Sequence, residues 1–197
     1  MENGLPGAEF QYRMAPGLRL RINPSKNARK AGVLMLLYPY RNTVFTVFMK
    51  RTRYPGAHSG QISLPGGKME QQDNDITSTA LRESEEEIGI RSDQVHVVGY
   101  LTELHIPVSN MLVYPVIGTY PERPDFQIDQ SEVEYLIESP LVELLKPGTR
   151  KSMLRLILLK RDIVPYYNIQ GHHIWGATAM IISEFAELLH RIQHPHQ

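Results

Sequence analysis

The hydrophobic residues of this chain fall into short runs at 31–38, 44–49, 95–101, 111–119 and 133–137, each bounded by proline, glycine or polar turn residues, the pattern of β-strands. Two stretches follow a helical period instead. From about residue 75 to 88, Ile76, Ala80, Ser84 and Ile88 recur every fourth position, and Gly89 stands where a left-handed cap would end the helix. From about 176 to 191, Met180, Ile181, Phe185, Leu188 and Leu189 form one apolar stripe. Residues 141–145, stopped by Pro147 and Gly148, add one predicted helical turn. No internal repeat or low-complexity linker intervenes, so strands and helices are expected to share one core in an α/β sandwich.

A length of 197 residues suits one domain, expected over 1–197 with its core at about 30–185 and frayed ends at 1–7 and 194–197. Lysine plus arginine number 21 and aspartate plus glutamate 21, so the formal charge is zero. That balance argues against nucleic acid held by bulk positive charge, and any anion must be met locally. Cysteine is absent, which excludes disulfides, thiolate zinc sites and a cysteine nucleophile. The first residues lack the basic start and apolar core of a signal peptide, and no run of about 18 apolar residues is present to span a bilayer. A soluble, cytoplasmic protein without a membrane partner is expected. No interface is legible in the string, which leaves a homodimer open.

The candidate chemistry lies between residues 63 and 90. Residues 63–70, SLPGGKME, read as a glycine turn leading away from a strand, where backbone can approach a ligand closely. The acidic helix follows. At about 100° per residue, with Ile76 at zero, Glu83, Glu86 and Glu87 fall near 340°, 280° and 20°, so three carboxylates gather on one flank. Like charges three and four residues apart cost a few tenths of a kcal/mol per pair, and a cation should offset them. Hard divalent ions such as magnesium prefer oxygen ligands and suit carboxylates placed beside a phosphate-bearing substrate. A solvated, glutamate-rich helix is the plain alternative.

Arg82, Glu83, Glu86, Glu87, Gly89 and Ile90 resemble the second half of the Nudix box, G-x5-E-x7-R-E-U-x-E-E-x-G-U with U aliphatic. Ser84 occupies a position that is usually aliphatic. In the first half, Asp73 stands where the box has glutamate, and residues 74–81 make the spacing to Arg82 one longer. Upstream, Lys50-Arg51-Thr52, His58, Gly60-Gln61 and Leu64-Pro65-Gly66-Gly67 look like the signature preceding the box in coenzyme A diphosphatase-type Nudix proteins. Thr52 replaces serine there, Leu64 replaces phenylalanine, and Gly56 stands where that signature carries a second arginine. Ser109, Val113, Pro115-Val116, Glu132-Val133, Pro140-Leu141 and residues 174–179 extend the likeness downstream.

The resemblance implies an α/β/α sandwich with a mixed β-sheet, the box helix on one side and the carboxy-terminal helix on another. It also implies hydrolysis of a nucleoside diphosphate linked to a second group, with coenzyme A or an acyl derivative as substrate. Glu83, Glu86, Glu87 and Gly67 would hold Mg2+ or Mn2+, and Glu83 is the first candidate for general base. Arg51 is the candidate contact for a substrate phosphate, joined by His58 and Gln61. Arg82, Asp73 and Glu132 are supporting residues; by their position near predicted loops outside the box, Glu103 and Glu132 are also candidates for an additional metal ligand or base, with a simply exposed glutamate as the commoner reading of each. Two other readings stay open: a pyrophosphatase for ADP-ribose, dinucleotides or nucleoside triphosphates, and a non-catalytic nucleotide sensor. Outside the box, Trp175 is expected in the core rather than stacked on a base. The histidines at 172, 173, 194 and 196 lack the partners of a tetrahedral metal site.

Overall fold

The structure, a computed structural model, describes residues 4–17, 24–25, 27–56, 58–157 and 160–194. In chain order the elements are α1 (Ala8–Tyr12), β1 (Arg29–Tyr40), β2 (Thr43–Arg51), β3 (Ile62–Ser63), β4 (Gly66–Lys68), α2 (Ile76–Ile88), β5 (His96–Tyr100), β6 (Leu104–Ile106), β7 (Met111–Thr119), β8 (Val133–Pro140), α3 (Leu141–Leu145), β9 (Arg150–Ile157), β10 (Lys160–Ile169), β11 (His172–Trp175) and α4 (Gly176–Gln193). The chain divides into two compact units, Ile22–Leu141 and Met1–Arg21 with Val142–Gln197.

In the first unit β1 to β8 form a mixed sheet of order β3-β2-β1-β7-β5, with β4 pairing β1, β6 pairing β7 and β8 pairing β2. β1 runs parallel to β7, from Arg29 opposite Met111 to Leu37 opposite Thr119. Its pairings with β2 and β4 are antiparallel. Arg41 and Asn42, both at positive φ, close the β1–β2 hairpin, the two-residue turn whose twist matches that of the flanking strands. Leu34, Leu36, Val47, Met49 and Val116 from the strands meet Ala80 and Ile88 of α2 in one buried cluster. Helix and sheet approach closely because β1 carries a glycine at the contact. A Cβ on Gly32 would stand 2.5 Å from the carbonyl oxygen of Ile76 and 2.9 Å from the amide nitrogen of Ala80.

The 63–70 segment departs from the expected glycine turn. Gly66–Lys68 is an extended strand whose Gly66, Gly67 and Lys68 pair with Val33, Gly32 and Ala31. Gly66 has φ 139, and a side chain there would overlap the Gly32 backbone, so glycine serves strand-to-strand approach as well as any ligand.

In the second unit β9, β10 and β11 form an antiparallel sheet, accompanied by α1 and α4. The fully buried Glu184 of α4 accepts hydrogen bonds from the Gly7 amide at 3.1 Å and Gln11 Nε2 at 2.8 Å. Gly7 thus has a partner within the terminal stretch expected to fray, whereas residues 1–3 and 195–197, including His196, lie outside the described residues. β9 and β10 escaped the sequence pattern because charged residues interrupt their apolar positions, as in RKSMLRLI. Trp175, expected in the core, is half-exposed, with the Arg155 guanidinium 4.2 Å from the centre of its ring. His172 and His173 lie on β11, where the His173 ring packs 4.3 Å from that of Tyr166, and the His194 ring meets that of His190 at 4.7 Å in a tilted contact.

Candidate active site

The α2 helix that carries the carboxylates is fixed at both ends. Asp75 caps the start: its Oδ1 accepts from the Ser78 amide at 2.7 Å, and Ser78 Oγ accepts from the Asp75 amide at 3.0 Å. At the other end Gly89 adopts φ 72, and its amide donates to the Glu85 carbonyl. Between the caps the three glutamates meet different surroundings. Glu87 is buried beside Ala80, Ser84 and Ile88, with its side chain 2% exposed, whereas that of Glu86 is 60% exposed and that of Glu83 16%.

Glu87 faces β4 and the end of β2. The Gly66 amide donates to its Oε2 at 2.7 Å, and Arg51 Nη2 donates to its Oε1 at 3.1 Å. The same Arg51 nitrogen donates to the Gly66 carbonyl at 3.0 Å, so one guanidinium ties β2, β4 and α2 together. Burial pushes the Glu87 carboxyl up to about 7; Arg51 and the Gly66 amide oppose that rise, while the charges of Glu83 and Glu132 add to it.

Glu83 rests on the backbone of Gly67, where an added Cβ would overlap its carboxylate. Burial raises this carboxyl as well, against the pull of Arg82, and the charges of Glu86 and Glu132 raise it further. Arg82 is the hub of the outer layer. Its Nε and Nη2 grip Asp73 at 2.8 and 3.0 Å, its Nη2 also meets Glu83 at 3.0 Å, and its Nη1 donates to Glu86 at 3.0 Å. Asp73, on which Thr79 Oγ1 and the Glu70 amide also converge, is held well below the usual carboxylate range, chiefly by Arg82. The longer spacing between Asp73 and Arg82 therefore does not prevent their pairing.

His58 has φ 70, and its Nε2 lies 3.3 Å from Ser109 Oγ. Burial lowers its pKa, opposed by a hydrogen bond to Gln61. The carbonyl of Gln61 accepts from the Arg51 amide at 2.9 Å, which connects this loop to the strand that reaches Glu87. The carbonyl of Glu132 accepts from the Thr52 amide at 2.9 Å. Glu103 stands apart from this group as a hydrogen-bond partner of Tyr114. Thus Arg51, His58, Gln61, Gly67, Asp73, Arg82, Glu83, Glu86, Glu87 and Glu132 are linked through one connected stretch of the first unit. The histidines at 172, 173 and 194 and Trp175 belong to the second unit. Gly32 was not singled out from the sequence; its signal was a glycine inside an apolar strand run.

Among the described residues, no three His, Asp or Glu side chains stand as a ready-made metal cluster. Glu86 is held by Arg82 and Glu87 by Arg51. The donor set nevertheless fits a hard divalent cation: Glu83 and Glu87, one helical turn apart, bring desolvated carboxylate oxygens against Gly67 and Gly66 of β4, and the absence of a side chain at Gly67 lets the Glu83 carboxylate lie against the backbone.

A model of the NUDIX domain matches residues 28–155. Nudix hydrolase 22 of Arabidopsis thaliana, a chloroplastic protein, is 33% identical over 189 residues, which are 92% of this chain and 60% of that protein. This chain therefore spans less than two thirds of that relative. A Nudix hydrolase of Yersinia enterocolitica called NudL and described as uncharacterized is 34% identical over 165 residues, 83% of each chain. Among solved structures, the NUDIX domain of Shewanella oneidensis NrtR complexed with ADP ribose superposes with a TM-score of 0.55 over 86% of this chain and 94% of that one. At 15% identity that likeness concerns the fold alone.

Proposed function

This chain belongs to the NUDIX domain family, and on that premise we propose that it hydrolyses coenzyme A or an acyl-coenzyme A to 3′,5′-ADP and the corresponding 4′-phosphopantetheine. The observation that carries this reading is the contact between two sequence signatures. Arg51, from the segment that resembles coenzyme A diphosphatases, is bonded to Glu87 of the box and to Gly66 between them.

Glu83, Glu86 and Glu87, with the backbone at Gly67, would hold Mg2+ or Mn2+. Such an ion offsets charge on the phosphoryl oxygens and lowers the pKa of bound water. Glu83 is the proposed general base, and its raised pKa strengthens it for taking a proton from water. Arg82, anchored by Asp73, fixes the positions of Glu83 and Glu86. Arg51 already balances Glu87 and would bring the same positive charge to a substrate phosphate, with His58 and Gln61 shaping the loop beside it. Glu132 adds negative charge near both inner carboxylates and favours a cation among them. A cytoplasmic location and a homodimer remain part of the proposal; among the described residues no helix is long and apolar enough to cross a membrane.

A second substrate reading, a pyrophosphatase acting on ADP-ribose or a dinucleotide, is favoured by Gly56, which supplies no arginine where the coenzyme A signature has one. Chromatography of products after incubation with magnesium and a panel of coenzyme A, acetyl-coenzyme A, ADP-ribose, NADH and nucleoside triphosphates separates the two. Fastest release of 3′,5′-ADP from coenzyme A is expected. Faster release of AMP from ADP-ribose or NADH would replace the first reading with the second.

A further inference from the structure

Beside the Arg51 strand end lies a cleft of about 520 Å³ that the hydrolytic chemistry leaves unused, lined by Lys50, Arg53, Tyr54, Pro55, Ser59 and Gly60. Its size falls in the range of small-ligand sites, roughly 300–1,000 Å³. Its charge is one-sided: among the described residues two cations and no carboxylate line it. Lys50 and Arg53 converge on one glycine, since a Cβ on Gly60 would stand 3.6 Å from Arg53 Cγ and 3.9 Å from Lys50 Nζ. Lys50 also donates to the Gly60 carbonyl, which holds its ammonium at the cleft wall. Among the described residues neither Lys50 nor Arg53 forms an ion pair, while Arg51 between them is committed to Glu87. A local pair of cations without counterions, on a chain of zero net charge, is the feature of an anion site.

The local backbone explains why adjacent residues serve two places. The β2–β8 register shifts between Lys50 and Arg51, from Lys50 opposite Tyr135 to Arg51 opposite Val133. A bulge of this kind re-aims side chains at a strand end. Gly56, where the resembling signature has arginine, is covered by the Tyr54 ring, with Cε2 3.0 Å from where a Cβ would lie. A longer side chain at 56 would have to displace that ring.

We propose that Lys50 and Arg53 bind a phosphate monoester carried by the nucleoside half of the substrate, in addition to the diphosphate that is cleaved. This rests on the coenzyme A reading above and deepens it: the two cations are specificity-determining residues that separate coenzyme A, which bears a 3′-phosphate, from the same molecule without it. A dianionic phosphate meeting a lysine and an arginine makes charge-assisted hydrogen bonds whose loss is worth about tenfold or more in binding.

The test compares coenzyme A with dephospho-coenzyme A in the wild type and in Arg53→Ala, Arg53→Lys and Lys50→Ala. The wild type is expected to favour coenzyme A by about tenfold in kcat/KM, expressed in KM, and Arg53→Ala to narrow that preference to about twofold. Arg53→Lys should restore part of it, because the charge returns. Equal use of the two substrates by the wild type, or an equal proportional loss on both in the variants, overturns the proposal. Calorimetric titration with 3′,5′-ADP and with AMP needs no turnover: about tenfold tighter binding of 3′,5′-ADP that disappears in Arg53→Ala is expected. Equal affinities overturn the phosphate site. Selective binding of 3′,5′-ADP without hydrolysis of either coenzyme would support the site and refute the substrate reading on which it was built.

Discussion

At the scale of single residues, the site is a set of carboxylates whose partners set their work. Glu87 is almost fully buried against one guanidinium and one amide, and Glu86 is exposed and held by Arg82. Glu86→Gln and Glu87→Gln, near-isosteric and neutral, are expected to leave the fold intact while turnover falls by orders of magnitude, because an amide binds a divalent ion poorly. Steady-state assays with circular dichroism check this, and unchanged turnover in both variants removes the catalytic role. Asp73 lies behind this layer, and its anchoring of Arg82 has a pH signature. Its folded-state pKa is depressed, so its contribution is present above its unfolded value near 3.8 and is lost as pH falls toward the folded value. Asp73→Asn should therefore cost about 2 kcal/mol at neutral pH, with the gap to wild type closing in acid. Denaturant titrations from pH 7 down to about pH 2 measure the narrowing of that gap, which begins below about 3.8; a gap independent of pH would assign the loss to packing.

At the scale of elements, α2 can present Glu83 and Glu87 to β4 only because it sits directly on β1. Gly32 makes that possible, and Gly32→Ala pushes a methyl into the Ile76 carbonyl and the Ala80 amide. The expected result is a loss of about 1–3 kcal/mol together with a fall in kcat, since lifting the helix moves both carboxylates away from Gly66 and Gly67. Thermal melts and kinetics on the same preparation check it; full activity in a destabilised variant would show that helix height does not matter to the site. The Asp75 cap and Gly89 hold the ends of α2 so that its register against the sheet stays fixed.

At the scale of the whole molecule, stability should report the cation. Because burial raises the folded-state pKa of Glu87 to about 7, its protonated form contributes stability that is present below about 4.5 and lost as pH rises through 7. Metal-free protein is expected to lose stability over that window, and saturating magnesium to restore it, by about 2.7 kcal/mol at one hundred times the dissociation constant. The magnesium effect should be large at pH 8, small at pH 5 and weakened in Glu87→Gln. An equal effect at both pH values would place the ion away from Glu87.

The box helix, its acidic flank and the β1, β2, β5, β7 and β8 strands were legible because each is written in local periodicity and local turn chemistry: Ile76, Ala80, Ser84 and Ile88 mark the face of α2, and Gly89 marks its end. β9 and β10 were not, since charged residues break their apolar pattern and pairing between strands supplies what the pattern lacks. Local sequence supplied the residue types: three glutamates, an arginine and a glycine pair at fixed spacing. Packing between distant segments set the rest: Glu87 is buried while Glu86 is exposed, Arg51 balances a carboxylate 36 residues away, and Lys50 and Arg53 share a cleft. Burial and the company of distant charges depend on which strands pair and how closely a helix approaches them, and no local pattern encodes either.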